Sequence, residues 1–440
     1  MEKKKNYTHP CDYCISKKVR CDDVRPCSRC INNEIQCTNL RIRKKRGPKS
    51  TIDNTKVSLS TLSKYLVSYQ KHYYFLWPLV YIEDLLPLNS HNQNLESTIK
   101  YVLALTITAA ISKFENSLDH NKLIRQVEQL SDHYKLIMHP SINTLLICLF
   151  LYQYYYNTAG GIVYLREAIT IANILQLHVE KTYSNNPNEH QMRKIYYFLV
   201  INERFIGLKD KIPVTLNSNI RFPDFSVDKF EAETHAFLNE IRLYSLLSRE
   251  LYNNIIENTN VGFELSLIDK LQYEGTHNTP ILTKFWLRCI LWNYAFRLGY
   301  KVDPSYPVTM GNAIFELQLP RHPDALPKIL EFSHGLINAL TIASDTSAVY
   351  NSLHNIFNKI KSVFPAKVEI YEKIENIIIS RLNNNVSHIL DSKFDIFVND
   401  SIDPGIDFNQ FHTTTFANDT PSNFEFEDLN LNSFEVYLNE

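Results

Sequence analysis

Apolar residues recur with helical spacing over most of the chain. In YLREAITIANILQLH, one stripe with a period of 3.6 residues contains Leu165, Ala168, Ile169, Ala172 and Leu175. Similar stripes occur in IYYFLVINERFIGL, KFWLRCILWNYAFRLGY and EKIENIIISRLNNNVSHIL, whereas alternating strand patterns are short. The pattern therefore predicts a large all-α domain over residues 59–390.

A second apolar series opens this domain. Its members alternate steps of three and four residues, which is heptad spacing: Leu59, Leu62, Leu66, Tyr69, Tyr73 and Leu76. Two interpretations are open: a short coiled coil over 59–76 that forms a homodimer, or a first helix that packs on the rest of the domain. Almost no charges flank the series, and Trp77-Pro78 ends it early, so the second interpretation is at least as well supported as the first.

The most apolar stretches, YVLALTITAAIS and NTLLICLFLYQYYYN, are shorter than the roughly 20 residues that a bilayer-spanning helix needs. We interpret both as buried helices and expect no membrane partner. The N-terminal MEKKKNYTHP has no apolar run behind it, so a secretory signal is not expected. We expect an intracellular, reducing location, where clustered cysteines favour metal over disulfides. Cys148 and Cys289 lie in apolar surroundings and are expected to be small buried hydrophobes.

Charge is distributed unevenly along the chain, although the net charge is only −1. Residues 1–50 carry 14 Lys/Arg against 5 Asp/Glu, residues 51–393 carry 32 of each kind, and residues 394–440 carry ten acidic residues and no Lys or Arg. A basic head, a neutral body and an acidic tail indicate three different roles, and the head suits a polyanion.

Motifs of enzymes that bind phosphates or stabilise oxyanions are absent from the sequence. Glycine makes up only 10 of 440 residues, and no GxGxxG, GxxxxGK[ST], GxSxG or HExxH occurs. Glu203 and Arg204 are adjacent, and we expect a structural ion pair there rather than a ligand site. The sequence therefore predicts a protein that is not an enzyme, with no catalytic residues.

Six of the eight cysteines lie in CDYCISKKVRCDDVRPCSRCINNEIQC, with the spacing C-x2-C-x6-C-x5-C-x2-C-x6-C. They are Cys11, Cys14, Cys21, Cys27, Cys30 and Cys37. Each half supplies three sulfurs, one short of a tetrahedral zinc site, so six ligands complete two sites only if one sulfur from each half bridges both metals. Three disulfides, or one four-sulfur zinc or iron–sulfur site with two spare thiols, are less favoured alternatives. We expect the metal to supply the folding free energy of so short a segment.

The two halves differ in charge between their second and third cysteines. The first contains ISKKVR, with a net charge of +3, and the second contains INNEIQ, with a net charge of −1. Only the first half therefore suits a groove lined by phosphates. Lys17 and Lys18 are candidates to donate to guanine O6 and N7 in the major groove, and Arg20 is a candidate phosphate contact.

This cysteine pattern resembles that of the fungal zinc binuclear cluster transcription factors, and all six ligand positions match. The resemblance implies two zinc ions per chain, bridged by Cys11 and Cys27, and a lysine pair, Lys17 and Lys18, that reads a CGG-type triplet in double-stranded DNA. Pro26 matches the proline of the inter-half loop. Ile15 departs from the family pattern, where Arg or Lys is common, so the resemblance implies no phosphate contact at that position.

The resemblance extends beyond the cysteines. CTNLRIRKKRGPKS is similar to the same segment of yeast maltose-responsive activators, which implies a role in maltose or α-glucoside utilisation. The stretches YYFLWPLVYIEDLL, YLREAITIANILQLH and RKIYYFLVINERFIGLKDKIPVTL are similar to the regulatory middle region of the family, which implies a small-molecule inducer as a candidate partner.

A basic linker, residues 41–58, separates the predicted zinc domain, residues 8–40, from the helical domain. Such a run suits phosphate contacts or nuclear import, and its candidate DNA-binding residues are Arg41, Arg43, Lys44, Lys45, Arg46 and Lys49.

The tail, residues 391–440, is predicted to be a disordered acidic activation segment. Residues 394–440 combine their acidic residues with eight phenylalanines. Acidic–hydrophobic alternation of this kind fits a segment that folds against a transcription coactivator. A plain solubilising tail is the alternative.

Together these features predict a nuclear, sequence-specific RNA polymerase II transcription factor that activates its genes. A repressor, or a regulator of another pathway, is the nearest alternative. An enzyme with an attached zinc module, and a zinc-stabilised interaction module that does not touch DNA, are weaker alternatives from other classes.

Overall fold

The computed structural model describes residues 10–22, 24–40, 57–85, 94–273, 275–319, 324–344 and 346–363. The chain divides into two compact units, Met1–Thr55 and Lys56–Glu440. The described residues contain helices and no strands. The expectation of a zinc-cluster domain followed by an all-α domain is confirmed. The basic run 41–49 and the tail 391–440 lie outside the described residues.

The first unit contains two short helices, α1 (Asp12–Ser16) and α2 (Ser28–Asn32). The helices of the second unit up to its centre are α3 (Leu59–Ser68), α4 (Ile82–Leu85), α5 (Leu95–Phe114), α6 (His120–Tyr134), α7 (Ile142–Tyr154), α8 (Ala159–Ile174) and α9 (Glu189–Asp210). They are followed by α10 (Glu231–Ser245), α11 (Arg249–Glu257), α12 (Ser266–Lys270), α13 (Asn278–Arg297), α14 (Ser305–Glu316), α15 (Ala325–Leu340) and α16 (Thr346–Val363). Short 3₁₀ turns occupy Leu136–Met138, Glu180–Tyr183 and Phe225–Val227, and a π-helical turn, Tyr69–Tyr73, continues α3.

Capping residues fix where several of these helices begin. Ser58, Asn94, Ser141, Thr158 and Ser248 precede α3, α5, α7, α8 and α11, and each side-chain oxygen accepts a backbone N–H of the first turn. These side chains satisfy donors that have no partner inside the helix, typically worth about 1 kcal/mol each. The positions where these helices begin are therefore determined by single capping residues in the local sequence.

Helix α9 passes through the centre of the second unit. It is buried on all sides from Met192 to Leu208, as expected for a core helix rather than an amphipathic surface helix. It packs against α8, α10 and α11, while α3 and α5–α8 form one helical group and α10 and α13–α16 form another. In α8 four residues of the predicted stripe, Leu165, Ala168, Ile169 and Ala172, are buried, and Leu175, which follows the helix, is partly buried.

The heptad series at the start of the unit faces the core of the same chain. Leu62, Leu66, Tyr69 and Tyr73 are buried, and α3 packs on α5. The Tyr69 hydroxyl donates to the carbonyl of Trp77 (2.7 Å) and accepts from the N–H of Val80 (3.2 Å). Of the two interpretations, the first helix packed on its own domain is the one observed, and this seam is not free to form a coiled coil.

The two most apolar stretches form α5 and α7 in the interior of the unit. Helix α5 is longer than its apolar stretch and, by length and composition alone, could cross a membrane. However, 67% of its most apolar window is buried among other helices, and the core helix of a soluble protein passes the same test. Cys148 in α7 and Cys289 in α13 are both buried, as expected for small core hydrophobes.

Candidate metal centre and nucleic-acid interface

The two halves of the cysteine segment have the same backbone structure. Cys11 precedes α1 and Cys27 precedes α2, each in extended conformation. After each short helix the chain turns through a residue with positive φ, Lys18 at 55° and Glu34 at 53°. The backbone hydrogen bonds repeat as well. The N–H of Val19 donates to the carbonyl of Cys14, and the N–H of Ile35 donates to the carbonyl of Cys30, both at 3.0 Å. The sequence repeat is therefore also a structural repeat.

The six sulfurs fall into two groups of four that share two members. Cys11, Cys14, Cys21 and Cys27 form one group, and Cys11, Cys27, Cys30 and Cys37 form the other. Within each group all sulfurs lie within 4.8 Å of one another. Cys11 and Cys27 belong to both groups, which is the arrangement that two bridging ligands require.

The distances between sulfurs match those of tetrahedral zinc thiolates. A Zn–S bond of about 2.3 Å gives a tetrahedron whose corners are about 3.8 Å apart. Cys11 Sγ lies 3.7 Å from Cys27 Sγ and 3.6 Å from Cys30 Sγ, and Cys14 Sγ lies 3.8 Å from Cys27 Sγ. The residues present therefore fit two zinc ions that are held by six cysteines and bridged by Cys11 and Cys27.

The six sulfurs lie in an environment that disfavours unpaired thiolates. Five of the six cysteines are buried, and Cys37 is partly buried. Burial raises the pKa of the Cys14 and Cys30 thiols well above the usual value. Two zinc ions would offset four of the six thiolate charges and hold the sulfurs ionised, so metal binding and folding of this segment are coupled.

Hydrogen bonds outside the sulfur cluster hold its geometry. N–H groups point at three of the sulfurs: Cys14 N to Cys11 Sγ (3.5 Å), Cys27 N to Cys37 Sγ (3.5 Å) and Arg25 Nη1 to Cys21 Sγ (3.7 Å). Such donors orient thiolate ligands and reduce their negative charge.

Two aspartates, which the sequence analysis did not single out, complete the domain. Asp12 Oδ2 accepts from Thr38 Oγ1 (3.0 Å) and from Leu40 N–H (2.7 Å), so it joins the two ends of the segment. Asp22 Oδ2 accepts from the N–H (2.8 Å) and hydroxyl (2.6 Å) of Ser28, at the beginning of α2. Neither aspartate is the residue that precedes its helix, so no local capping pattern in the sequence marks them.

The predicted DNA-contacting side chains of the first half are exposed. Lys17 and Lys18 lie at the carboxyl end of α1, and Arg20 precedes Cys21. The corresponding positions of the second half, also exposed, hold Asn33, Glu34 and Gln36. The two halves thus have the same backbone conformation, but their exposed side chains carry opposite net charge. The other candidates, Arg41, Arg43, Lys44, Lys45, Arg46 and Lys49, lie outside the described residues.

In the helical unit, Glu203 and Arg204 take structural roles, but not with each other. Glu203 is buried and its Oε1 pairs with Arg166 at 2.5 Å. Arg204 donates to the carbonyl of Tyr244, at the carboxyl end of α10, and to Ser218 Oγ at 3.2 Å. The expected ion pair between Glu203 and Arg204 is therefore wrong: Glu203 pairs with Arg166, and Arg204 donates to a carbonyl at a helix end, where a cation is favoured.

Comparison with known proteins agrees with this geometry. Residues 9–47 match the fungal Zn(2)-Cys(6) binuclear cluster domain. The chain is 29% identical to the probable sucrose utilization protein SUC1 of Candida albicans, over 82% of this chain and 84% of that protein. A maltose fermentation regulatory protein of Saccharomyces cerevisiae is 26% identical over 64% of this chain and 71% of its own length. The respiratory transcription factor ZNF1 of the same yeast is 23% identical over 81% of this chain and 90% of its own length.

The shared-sulfur geometry and the match define residues 9–47 as a Zn2Cys6 binuclear cluster domain. The chain carries this fungal DNA-binding domain type at its N-terminus, and along most of its length it resembles proteins named for sucrose utilization, for the regulation of maltose fermentation and as a transcription factor. The predictions of a zinc-dependent DNA-binding regulator are confirmed at this level.

Proposed function

We propose that the protein is a nuclear RNA polymerase II activator that reads CGG-type triplets through the α1 half of its zinc cluster. The observation that carries this proposal is the difference between the two equivalent turns. Lys17, Lys18 and Arg20 are exposed on one half, and the matching positions of the other half carry no positive charge. Two turns with the same backbone and different charge imply that only one of them faces a polyanion.

The chemistry of the first turn suits guanine in the major groove. An ammonium group can donate to guanine O6 and N7, and a helix held on a zinc module can enter that groove. Arg20 and the basic run 41–49 would pair with phosphates, which adds affinity without sequence information. Lys17 and Lys18 are therefore the proposed base contacts, and the remaining basic residues are the proposed phosphate contacts.

The proposed targets are genes for α-glucoside utilisation. This step is supported by the relatives that are named for sucrose utilization and maltose fermentation. Activation is assigned to the acidic, phenylalanine-rich tail 391–440, which would bind a coactivator. A homodimer remains a prediction, and the seam of α3 does not support it because that seam is buried in its own domain.

Selection from randomised duplex DNA tests the proposal directly. The full chain, loaded with zinc, should enrich CGG triplets, and a chelator should abolish the enrichment. Paired triplets at a fixed spacing would indicate a dimer on DNA, and single triplets a monomer. If zinc-loaded protein shows no sequence preference, the proposed reading is wrong.

A Lys18→Ala variant should bind its selected site about 5- to 150-fold more weakly, because one good contact to a base is worth about 1–3 kcal/mol. Glu34→Ala is the matched control, since Glu34 occupies the same left-handed position in the other half, and it should bind at least as tightly as the wild type. Fluorescence anisotropy with the selected duplex measures both. Equal losses in the two variants would contradict the assigned direction of docking.

A Lys45→Ala variant should behave differently from Lys18→Ala. Removal of a phosphate contact should weaken binding to all sequences alike and reduce the slope of log K against log salt by about 1. The same anisotropy titrations, repeated at several salt concentrations with selected and scrambled duplexes, separate the two effects. Loss of triplet selectivity in Lys45→Ala would show that this lysine reads bases.

A reporter gene behind the selected sites tests the proposed targets and the sign of regulation. In a yeast host, the full chain should raise reporter output on maltose or sucrose, and a chain that ends at residue 390 should not. Lower output with the full chain would indicate a repressor. A response to respiratory carbon sources alone would favour a role closer to that in the name of the third relative.

A further inference from the structure

Two hydrogen-bonded bridges connect the halves of the zinc domain, and they occupy equivalent positions of its repeat. Asp22, the residue after the third cysteine, accepts from the N–H and hydroxyl of Ser28, the first residue of α2. Thr38, the residue after the sixth cysteine, donates its hydroxyl to Asp12, the first residue of α1, at 3.0 Å. The carboxylate and the hydroxyl have thus exchanged places between two otherwise equivalent contacts.

The bridge at Asp12 has a second function, because it also holds the chain that leaves the domain. The N–H of Asp12 donates to the carbonyl of Thr38 at 3.0 Å, and its Oδ2 accepts from the N–H of Leu40 at 2.7 Å. Hydrogen bonds to a carboxylate are among the stronger ones in proteins. Because the Leu40 side chain is 83% exposed, these bonds rather than apolar packing fix residues 38–40 against the amino end of α1.

The position of Leu40 matters for DNA because the basic run 41–49 begins at the next residue. Lys17 and Lys18, the proposed base contacts, lie at the opposite end of α1, a helix of five residues that is about 7.5 Å long. The basic run therefore starts about one helix length from the residues that would contact the triplet.

We propose that Asp12 is a positioning residue for DNA binding, which fixes residues 38–40 and thereby sets the direction in which the basic run leaves the zinc cluster. Asp12 acts through the run, which would then meet the phosphates beside the triplet without a further loss of freedom. Ordering one backbone residue on binding costs a factor of about 5 to 30 in an equilibrium constant. This inference deepens the proposed DNA reading and rests on it.

Titration of zinc-loaded, full-length Asp12→Ala with the selected and a scrambled duplex, followed by fluorescence anisotropy, tests this role. The variant should bind both duplexes about 5- to 30-fold more weakly than the wild type, with unchanged preference between them, because phosphate contacts carry no sequence information. Loss of a negative charge would by itself strengthen binding to a polyanion, so a weaker complex is the opposite of a charge effect. Asp12→Asn should retain most of the affinity, since its amide oxygen can accept the same hydrogen bonds.

Asp22→Ala is the matched control, since it removes the equivalent aspartate but leaves the bonds to Thr38 and Leu40 in place. It should keep its zinc and bind DNA at least as tightly as the wild type. Hydrogen exchange of residues 38–40, measured by mass spectrometry without DNA, should be faster in Asp12→Ala and unchanged in Asp12→Asn and Asp22→Ala. Thr38→Val keeps the charge of Asp12 and should weaken DNA binding by a smaller factor than Asp12→Ala.

Four results would overturn this role of Asp12. They are wild-type affinity in Asp12→Ala, an equal loss of affinity in Asp22→Ala, unchanged exchange of residues 38–40 in Asp12→Ala, and a lower zinc content in Asp12→Ala. The last would show that Asp12 supports the cluster itself. A wild type without triplet preference would contradict the proposed DNA reading and this role with it, whereas a selective wild type with any of the four results would contradict this role alone.

Discussion

Replacement of Cys27 by serine should remove both zinc ions from the protein, whereas replacement of Cys37 should mainly affect one. Cys27 belongs to both four-sulfur groups and Cys37 to only one. Structural zinc contributes about 10–16 kcal/mol to the folding of small zinc domains, so loss of a shared ligand should unfold residues 9–47 and abolish DNA binding. Zinc content after gel filtration, measured by mass spectrometry, distinguishes the two variants.

Cys148→Ala is the control for this experiment, since Cys148 is buried in α7 and belongs to neither sulfur group. It should keep the zinc content of the wild type. Cys11→Ser should behave like Cys27→Ser, because Cys11 is the other shared sulfur. If Cys27→Ser retained as much zinc as Cys37→Ser, the two metal sites would not share that ligand.

The second large effect is expected at Asp228. Its carboxylate is fully buried and accepts from Lys194 Nζ at 2.7 Å and from His190 Nε2 at 2.8 Å. Burial opposes its ionisation, but the bond from His190 and the charge of Lys194 hold its pKa well below the usual value. Burial also lowers the pKa of Lys194 to about 8, although the charge of Asp228 opposes this.

Asp228→Ala should therefore destabilise the helical unit by about 3–5 kcal/mol, because it leaves the buried Lys194 without its counter-charge. All three tryptophans, Trp77, Trp286 and Trp292, lie buried in this unit, so their fluorescence during urea unfolding reports on it alone. Glu250→Ala, at the exposed Arg249–Glu250 pair, should change stability by less than about 1 kcal/mol. Similar midpoints for both variants would show that the buried pair contributes little.

The metal centre was predictable because its information is local. In each half, a Cys-x2-Cys pair is followed six residues later by a third cysteine. A short helix and the turn after it bring these three sulfurs together. The charge difference between ISKKVR and INNEIQ was equally plain, and the structure adds that both turns have the same backbone. Spacing alone does not say which of its three cysteines each half contributes as the bridging ligand. That choice required the family resemblance or the three-dimensional positions of the sulfurs.

The helical unit was predictable only in outline. Apolar periodicity predicted helices, and α8 buries four of the five residues of its predicted stripe. Periodicity does not determine which surface an apolar stripe packs against. The heptad series of α3 was therefore equally compatible with a dimeric coiled coil and with packing on its own domain. The core around Tyr69 and Trp77 decided between them.

The sequence by itself thus determined the chemistry of the zinc segment, the charge of its two faces and the helical class of the rest. Only the tertiary structure decided which charges are buried together. Lys194 and Asp228 are 34 residues apart, and Arg166 and Glu203 are 37 residues apart. Local spacing constrains neighbours within a few residues, whereas contacts between distant helices depend on how all their faces pack at once.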